Sequence, residues 1–218
     1  MYSCHSSFLY FYLTVCIFFR MIMKTSDSTK QLFKNPALER FSRSNAPAVI
    51  TALFLLAVFI FSLGLYLSSL VFLIQFYWCL LGLLIFSLAE YLIHRYVFHF
   101  GDYRNVKSWQ SKIHGVHHDF PSDKERLALP IPLALGISLL LFFLLQFMLG
   151  DIAYGLFSGF ISGYGAYFLI HYLIHTRKPP KNNLRVLWRN HHIHHHVDEH
   201  KAFGVTSPFW DWIFRTRP

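Results

Sequence analysis

Apolar positions in this chain come in runs long enough to cross a bilayer, separated by blocks that hold nearly all the charge. No Lys or Arg occurs between Ser44 and His94, and none between Leu127 and Thr176. A hydrocarbon core of about 30 Å takes about 20 helical residues, so each gap has room for two spans. The first gap holds Pro47–Leu67 and Leu70–Leu92, and the second holds Ile131–Leu149 and Ile152–Ile174. Each pair reads as a helical hairpin, closed by Ser68-Ser69 in one case and by Gly150-Asp151 in the other. Gly155, Gly159 and Gly163 recur every four residues in the last span, a small-residue face that lets helices approach closely. Residues 1–46 read as a separate N-terminal part. Phe8–Met23 is apolar but short for a span and carries Arg20, and Thr25–Ala46 is a polar linker with room for a short amphipathic helix. Residues 47–218 form the membrane domain. Trp210, Trp212 and Phe214 read as an interfacial aromatic belt.

Composition narrows the class. Hydrophobic residues make up 54% of the chain and charged residues 14%, too apolar for a small soluble domain to bury. The formal net charge of +9 invites a nucleic-acid reading, but the basic residues form three blocks outside the spans rather than one stripe. The positive-inside rule puts all three blocks, and with them the C-terminus, on the cytoplasmic side. Nucleic acid is thereby excluded as a partner. Cys4, Cys16 and Cys79 form no CxxC pair, which excludes a disulfide framework and a cysteine zinc site. The predicted fold is an all-α integral membrane protein, with four transmembrane helices in two hairpins.

The candidate chemistry lies in the histidines. The chain has 14, and most fall into four groups: His94 and His99; His114, His117 and His118; His171 and His175; and the tract His191, His192, His194, His195, His196. The first and third groups end the second and fourth spans, and the other two lie in the loops that follow, so topology gathers all four at one membrane face. Positions i, i+3 and i+4 share a helix face, which suits the second, third and fourth groups. His94 and His99 are five apart and diverge by about 140° on a regular helix, so that pair either straddles two metals or sits where the helix breaks. Neutral imidazoles clustered in a buried place need partners, and imidazole suits iron, zinc, copper and nickel. Ten of them exceed the needs of one ion and point to two. HExxH is absent.

These motifs, AEYLIHRYVFHF, IHGVHHDFPSDKERLALPIP, HYLIH and NHHIHHHVDEHKAFGVTSPFWDWIF, resemble those of the fatty acid hydroxylase and sterol desaturase superfamily, and most of all its fatty acid 2-hydroxylases. The resemblance runs from about Ser87 to the C-terminus, and it implies a cytosolic helical layer that caps the four transmembrane helices and holds a histidine-rich dimetal site. It implies a dimetal site whose ligands are His94, His99, His114, His117, His118, His171, His175, His192, His195 and His196. The last box satisfies HxxHH from His191 as well as from His192. The register from His192 fits the 2-hydroxylases better, which leaves His191 and His194 supporting the ligands. Glu90, one turn before His94 and matching a family glutamate, would accept an imidazole N–H, and Phe203-Gly204 matches the family's FG stretch.

The resemblance further implies a membrane-bound oxygenase that uses two iron ions and O2 to hydroxylate a fatty acyl chain beside its carboxyl carbon. Zinc competes for such ligands and can occupy the site in purified protein. No HPGG heme signature occurs, so the two electrons are expected from a separate donor such as cytochrome b5 or ferredoxin. Sterol or carotenoid hydroxylases and desaturases share several boxes and are the nearest alternative. A metal or heme transporter is a more distant one, because transporters place ligands near the bilayer midplane and these histidines sit at helix ends.

Overall fold

The computed structural model describes residues 31–101, 105 and 108–218; the apolar segment Phe8–Met23 lies outside them. All regular structure among the described residues is helical. The short helix α1 (Pro36–Phe41) opens on Asn35, whose side chain accepts from the backbone N–H groups of Ala37 and Leu38. The helix α2 (Ala46–Leu67) opens the same way, with Asn45 accepting from Ala48 N–H and Pro47 in the first turn, where proline's missing N–H costs nothing. After a turn at Ser68-Ser69 comes α3 (Phe72–Ile93). The long helices resume with α5 (Ile131–Leu149), closed by Gly150 at φ +56°, and α6 (Ile152–Thr176). Between the two hairpins lies a single turn, α4 (Val116–Asp119); after them come α7 (Arg185–His196) and α8 (Phe209–Ile213).

The four predicted spans thus coincide with four helices. Among the described residues three segments are long and apolar enough to cross a membrane: Ala46–Leu67, Phe72–Phe98 and Lys124–Leu149. Their outward faces are apolar, with Phe147 90% and Leu73 74% exposed, as lipid contact requires. The fourth helix, α6, has 25 residues and is about 37 Å long, yet is less apolar because it is rich in Gly, Ser and Tyr. Position explains this composition. α6 packs chiefly against α3 and α2 and also meets α5, so its surroundings are largely protein. The core is built on it: Tyr154, Phe157, Ile161 and Phe168 meet Leu53, Ala57 and Ile60 of α2 and Ala134 and Phe142 of α5. A β-carbon built on Gly159 would overlap the Cys79 carbonyl, and one on Gly82 the Leu156 carbonyl. At this crossing α3 and α6 touch backbone to backbone.

The two hairpin turns meet. The Asp151 carboxylate accepts from Ser69 N–H and from Ser69 Oγ, both at 3.0 Å, so both hairpins turn at the same end of the bundle. All four histidine groups lie toward the other end. There the segment after Leu32 folds back over the loop before α5. Arg126 pairs with Glu39 at 2.7 Å, Arg43 pairs with Glu125 at 2.8 Å, and Ser44 N–H donates to the Glu125 carbonyl. The C-terminal tail is pinned to α3. Tyr91 Oη shares a hydrogen bond with Thr216 Oγ1, and Trp210 Nε1 donates to Ser87 Oγ. Trp210 packs on α3 and is half-buried, while Trp212 stays exposed.

Candidate metal centre

Two π-helical turns deliver the first histidines. α3 runs without a break into a π turn at His94–Phe98, in which His99 N–H donates to the His94 carbonyl five residues back. The wider turn carries residue i+5 round to the face of residue i, and the His94 and His99 rings lie 5.1 Å apart. Of the two expected alternatives the second holds: the pair sits where the regular helix breaks, with His99 capping the π turn. A second π turn, Ser111–Gly115, leads into α4. Such turns are rare and often mark functional sites.

Ten imidazoles gather in two groups of five. His94, His99, His114, His118 and His194 form one, and His117, His171, His175, His191 and His195 form the other; within each, one ring nitrogen per residue lies within 4.8 Å of all the others. The box at 114–118 is shared, since His117 turns away from His114 and His118 by its place on the helix. α7 is shared in the same way between His194 and the pair His191/His195. The groups touch where the His118 and His195 rings stack at 4.2 Å.

The nitrogens fit metal ions. In the first group His114 Nε2 lies 3.2 Å from His94 Nε2 and 3.0 Å from each of His99 Nε2 and His118 Nε2. In the second, His171 Nε2 lies 2.8 Å from His117 Nε2, and His175 Nε2 lies 2.9 Å from His191 Nε2. One proton on His114 Nε2 can serve only one of three such contacts, so the others would set lone pair against lone pair. A metal bonded at 2.0–2.1 Å holds neighbouring ligand nitrogens about 3 Å apart, which accounts for all these distances together. The remaining ring nitrogens support this orientation. His94 Nδ1 donates to the Phe203 carbonyl at 2.6 Å and His194 Nδ1 to the Lys201 carbonyl at 2.8 Å, which leaves each Nε2 bare for an ion. Burial, with repulsion from neighbouring rings, holds His114, His117 and His191 well below the usual imidazole range. Burial brings His194 down to about 4. These rings are neutral at pH 7, as ligands must be.

Two expectations are corrected. Eight of the ten residues expected as ligands lie in these groups, but His192 and His196 do not; His191 and His194 stand in their place. The buried face of α7 is Leu187, Asn190, His191 and His194. His192 and His196 lie about 100° further round and are exposed. Glu90 does not bond an imidazole. Its carboxylate accepts from Val205 N–H at 2.7 Å, Thr206 N–H at 2.9 Å and Thr206 Oγ1. It acts on His94 through the chain, by anchoring the loop whose Phe203 carbonyl orients that ring. Asp211 anchors the same loop from beyond, accepting from Phe203 and Gly204 N–H, both at 2.9 Å. Glu90→Gln would turn an amide N–H2 toward one of these donors, at a cost of about 1–3 kcal/mol. The expected result is a lower melting temperature and reduced metal in the His94 group, read by thermal unfolding and elemental analysis. Unchanged values would mean that the loop needs no anchor.

A cavity of about 670 Å³ runs from the histidines in among the long helices. His94, His114, His117 and His171 line one part; Phe86, Ile137, Leu141, Phe160 and Ile161 line the apolar remainder. Phe33 and Lys112 line it too, the Lys112 ammonium lying 5.6 Å from the Phe33 ring centroid. The volume is within the range of small-molecule sites.

Residues 79–216 match the family model described as fatty acid hydroxylase. The rat fatty acid 2-hydroxylase is 34% identical over 141 residues, 62% of this chain and 38% of that protein. The ceramide very long chain fatty acid hydroxylase of Schizosaccharomyces pombe is 35% identical over 142 residues, 63% of this chain and 41% of that protein. The match thus spans about two fifths of the length of these relatives. Among solved structures, the hydroxylase domain of full-length scs7p superposes with a TM-score of 0.78 at 30% identity, covering 88% of this chain and 74% of that one.

Proposed function

The chain belongs to the fatty acid hydroxylase family, and from that premise we propose that it is a dinuclear iron oxygenase of the membrane that places a hydroxyl on the carbon beside the carboxyl group of a fatty acyl chain. One observation carries the reading: imidazoles converge in two groups of five, and members of both, His94 and His114 of one and His117 and His171 of the other, line an apolar cavity among the helices. His94, His99, His114, His118 and His194 would hold one ion, and His117, His171, His175, His191 and His195 the other. Two iron ions held there would supply the activation of dioxygen. The chain's own residues do the rest. The apolar walls take the acyl tail out of water, and the histidines beside it bring the head end of the chain to the reacting position. Balanced, R–CH2–COX, O2, two electrons and two protons give R–CHOH–COX and water.

The electrons come from a separate donor of the cytochrome b5 or ferredoxin kind. α6 is the fourth span, and the basic blocks put the histidines and the C-terminus in the cytoplasm. Zinc in purified protein would report competition for the same nitrogens rather than a different function.

The test is lipid mass spectrometry of cells with and without the gene, grown under isotopically labelled dioxygen. The expected product is a 2-hydroxy acyl lipid carrying one labelled oxygen. A product that has lost two hydrogens, or a hydroxylated sterol or carotenoid with acyl chains unchanged, would overturn the reading.

A further inference from the structure

His192 and His196 remain outside both groups, and their placement is not that of idle surface residues. They stand at i and i+4 on the solvent side of α7, with ring centroids 4.5 Å apart at an interplanar angle of 52°. The inward pair, buried His191 and half-buried His195, one position back on the same helix, has the same 4.5 Å separation. α7 therefore presents two equivalent i, i+4 imidazole pairs on adjacent faces, one inward and one outward. Both outer rings are exposed. Among the described residues neither has a hydrogen-bond partner, and their exposed nitrogens face solvent.

We propose that His192 and His196 form a third metal site, a two-imidazole chelate for a divalent first-row transition ion. Nitrogens at the ends of an i, i+4 pair can reach the separation of about 3 Å that one ion with bonds of 2.0–2.1 Å requires. The i, i+4 histidine pair of one helix face is the geometry that binds zinc in HExxH helices. Two protein ligands leave the other coordination positions to water, so an ion held here exchanges with solvent. Among divalent ions the preference should follow the general order for nitrogen sites, with Cu2+ strongest and Zn2+ and Ni2+ ahead of Fe2+. The His195 and His196 rings are 5.9 Å apart, so an ion on the outer pair lies one ring away from the inner group.

The test uses the full chain in detergent micelles, washed with a weak chelator so that only tightly held ions remain, and then dialysed to equilibrium against Zn2+. Wild type should take up one exchangeable Zn2+ per chain more than the double variant His192→Ala/His196→Ala. As a second measurement, Cu2+ added to wild type with its tightly held ions in place should show an electron paramagnetic resonance signal with coupling to imidazole nitrogen that is larger, by about one ion per chain, than that of the double variant. Both residues are exposed, so the variant is expected to fold and melt as wild type does. Equal exchangeable Zn2+ in the two proteins, or an equal imidazole-coupled Cu2+ signal, would overturn the proposal. The number of tightly held ions is a separate reading that tests the dinuclear site.

Discussion

Replacing His191 with alanine should cut hydroxylation by more than about 100-fold, whereas replacing its neighbour His192 should leave turnover within about twofold; loss of a partner behind a metal ligand already costs 10–100-fold, and loss of a ligand costs more. The contrast follows from one turn of α7. The His191 ring is buried, and its Nε2 lies 2.9 Å from His175 Nε2. His192 points to water on the next face. His191→Ala also opens a hole at a buried position, so lost activity alone is ambiguous. Metal content removes the ambiguity. A variant that is present in the membrane at normal abundance, keeps the ion of the His94 group and has lost the other has lost a ligand and not its fold. Product formation per unit of membrane protein and elemental analysis of the purified variants give the two readings. If His192→Ala were the damaging change and His191→Ala the silent one, the placement of α7 would be wrong by one residue.

That single residue marks where the sequence stops being informative. Leu187 stands four before His191 and Trp188 four before His192, so either register gives the helix an apolar residue in line with its histidines. Only packing decides, and it buries Leu187 to 5%. The spans were legible because bilayer thickness and the absence of basic residues are strong constraints that act on one segment at a time. Gathering of the histidines at one end followed from two hairpins that start and finish on the same side, and the Asp151–Ser69 contact has their turns meeting as that requires. What was not legible depends on backbone geometry or on partners far apart in the chain. The π turn at His94–Phe98 reconciles a spacing of five that regular helix geometry sets apart, and no periodicity announces it. Glu90 reaches Val205 across 115 positions, and Arg126 reaches Glu39 across 87; neither pairing leaves a local trace. α6 shows the opposite effect. Its lower apolar content goes with its position, in a helix surrounded mostly by other helices.

Gly159→Leu should be among the most destabilising single changes in the chain, and it tests whether the helix crossing holds the metal centre together. Overpacking a protein interior costs about 1–3 kcal/mol, occasionally more. Here a β-carbon would meet the backbone of Cys79 and not the movable end of a side chain, so α3 and α6 must separate as a whole. In lipid such a loss has little compensation, since association of spans rests on close packing and not on the hydrophobic effect. The consequence reaches the site, because α3 ends in His94 and α6 carries His171 twelve residues, about 18 Å, beyond Gly159. Separating the two helices moves ligands of one group relative to those of the other. Gly136→Leu is the control: a β-carbon there has nothing within 4 Å, and a side chain gained in a helix facing open space is neutral or mildly stabilising. Thermal unfolding in detergent should therefore show a large drop in melting temperature for Gly159→Leu and none for Gly136→Leu, with loss of bound metal only in the former. Equal melting of the two variants would mean that α3 and α6 do not meet at Gly159, and that the geometry bringing the two histidine groups together is set elsewhere.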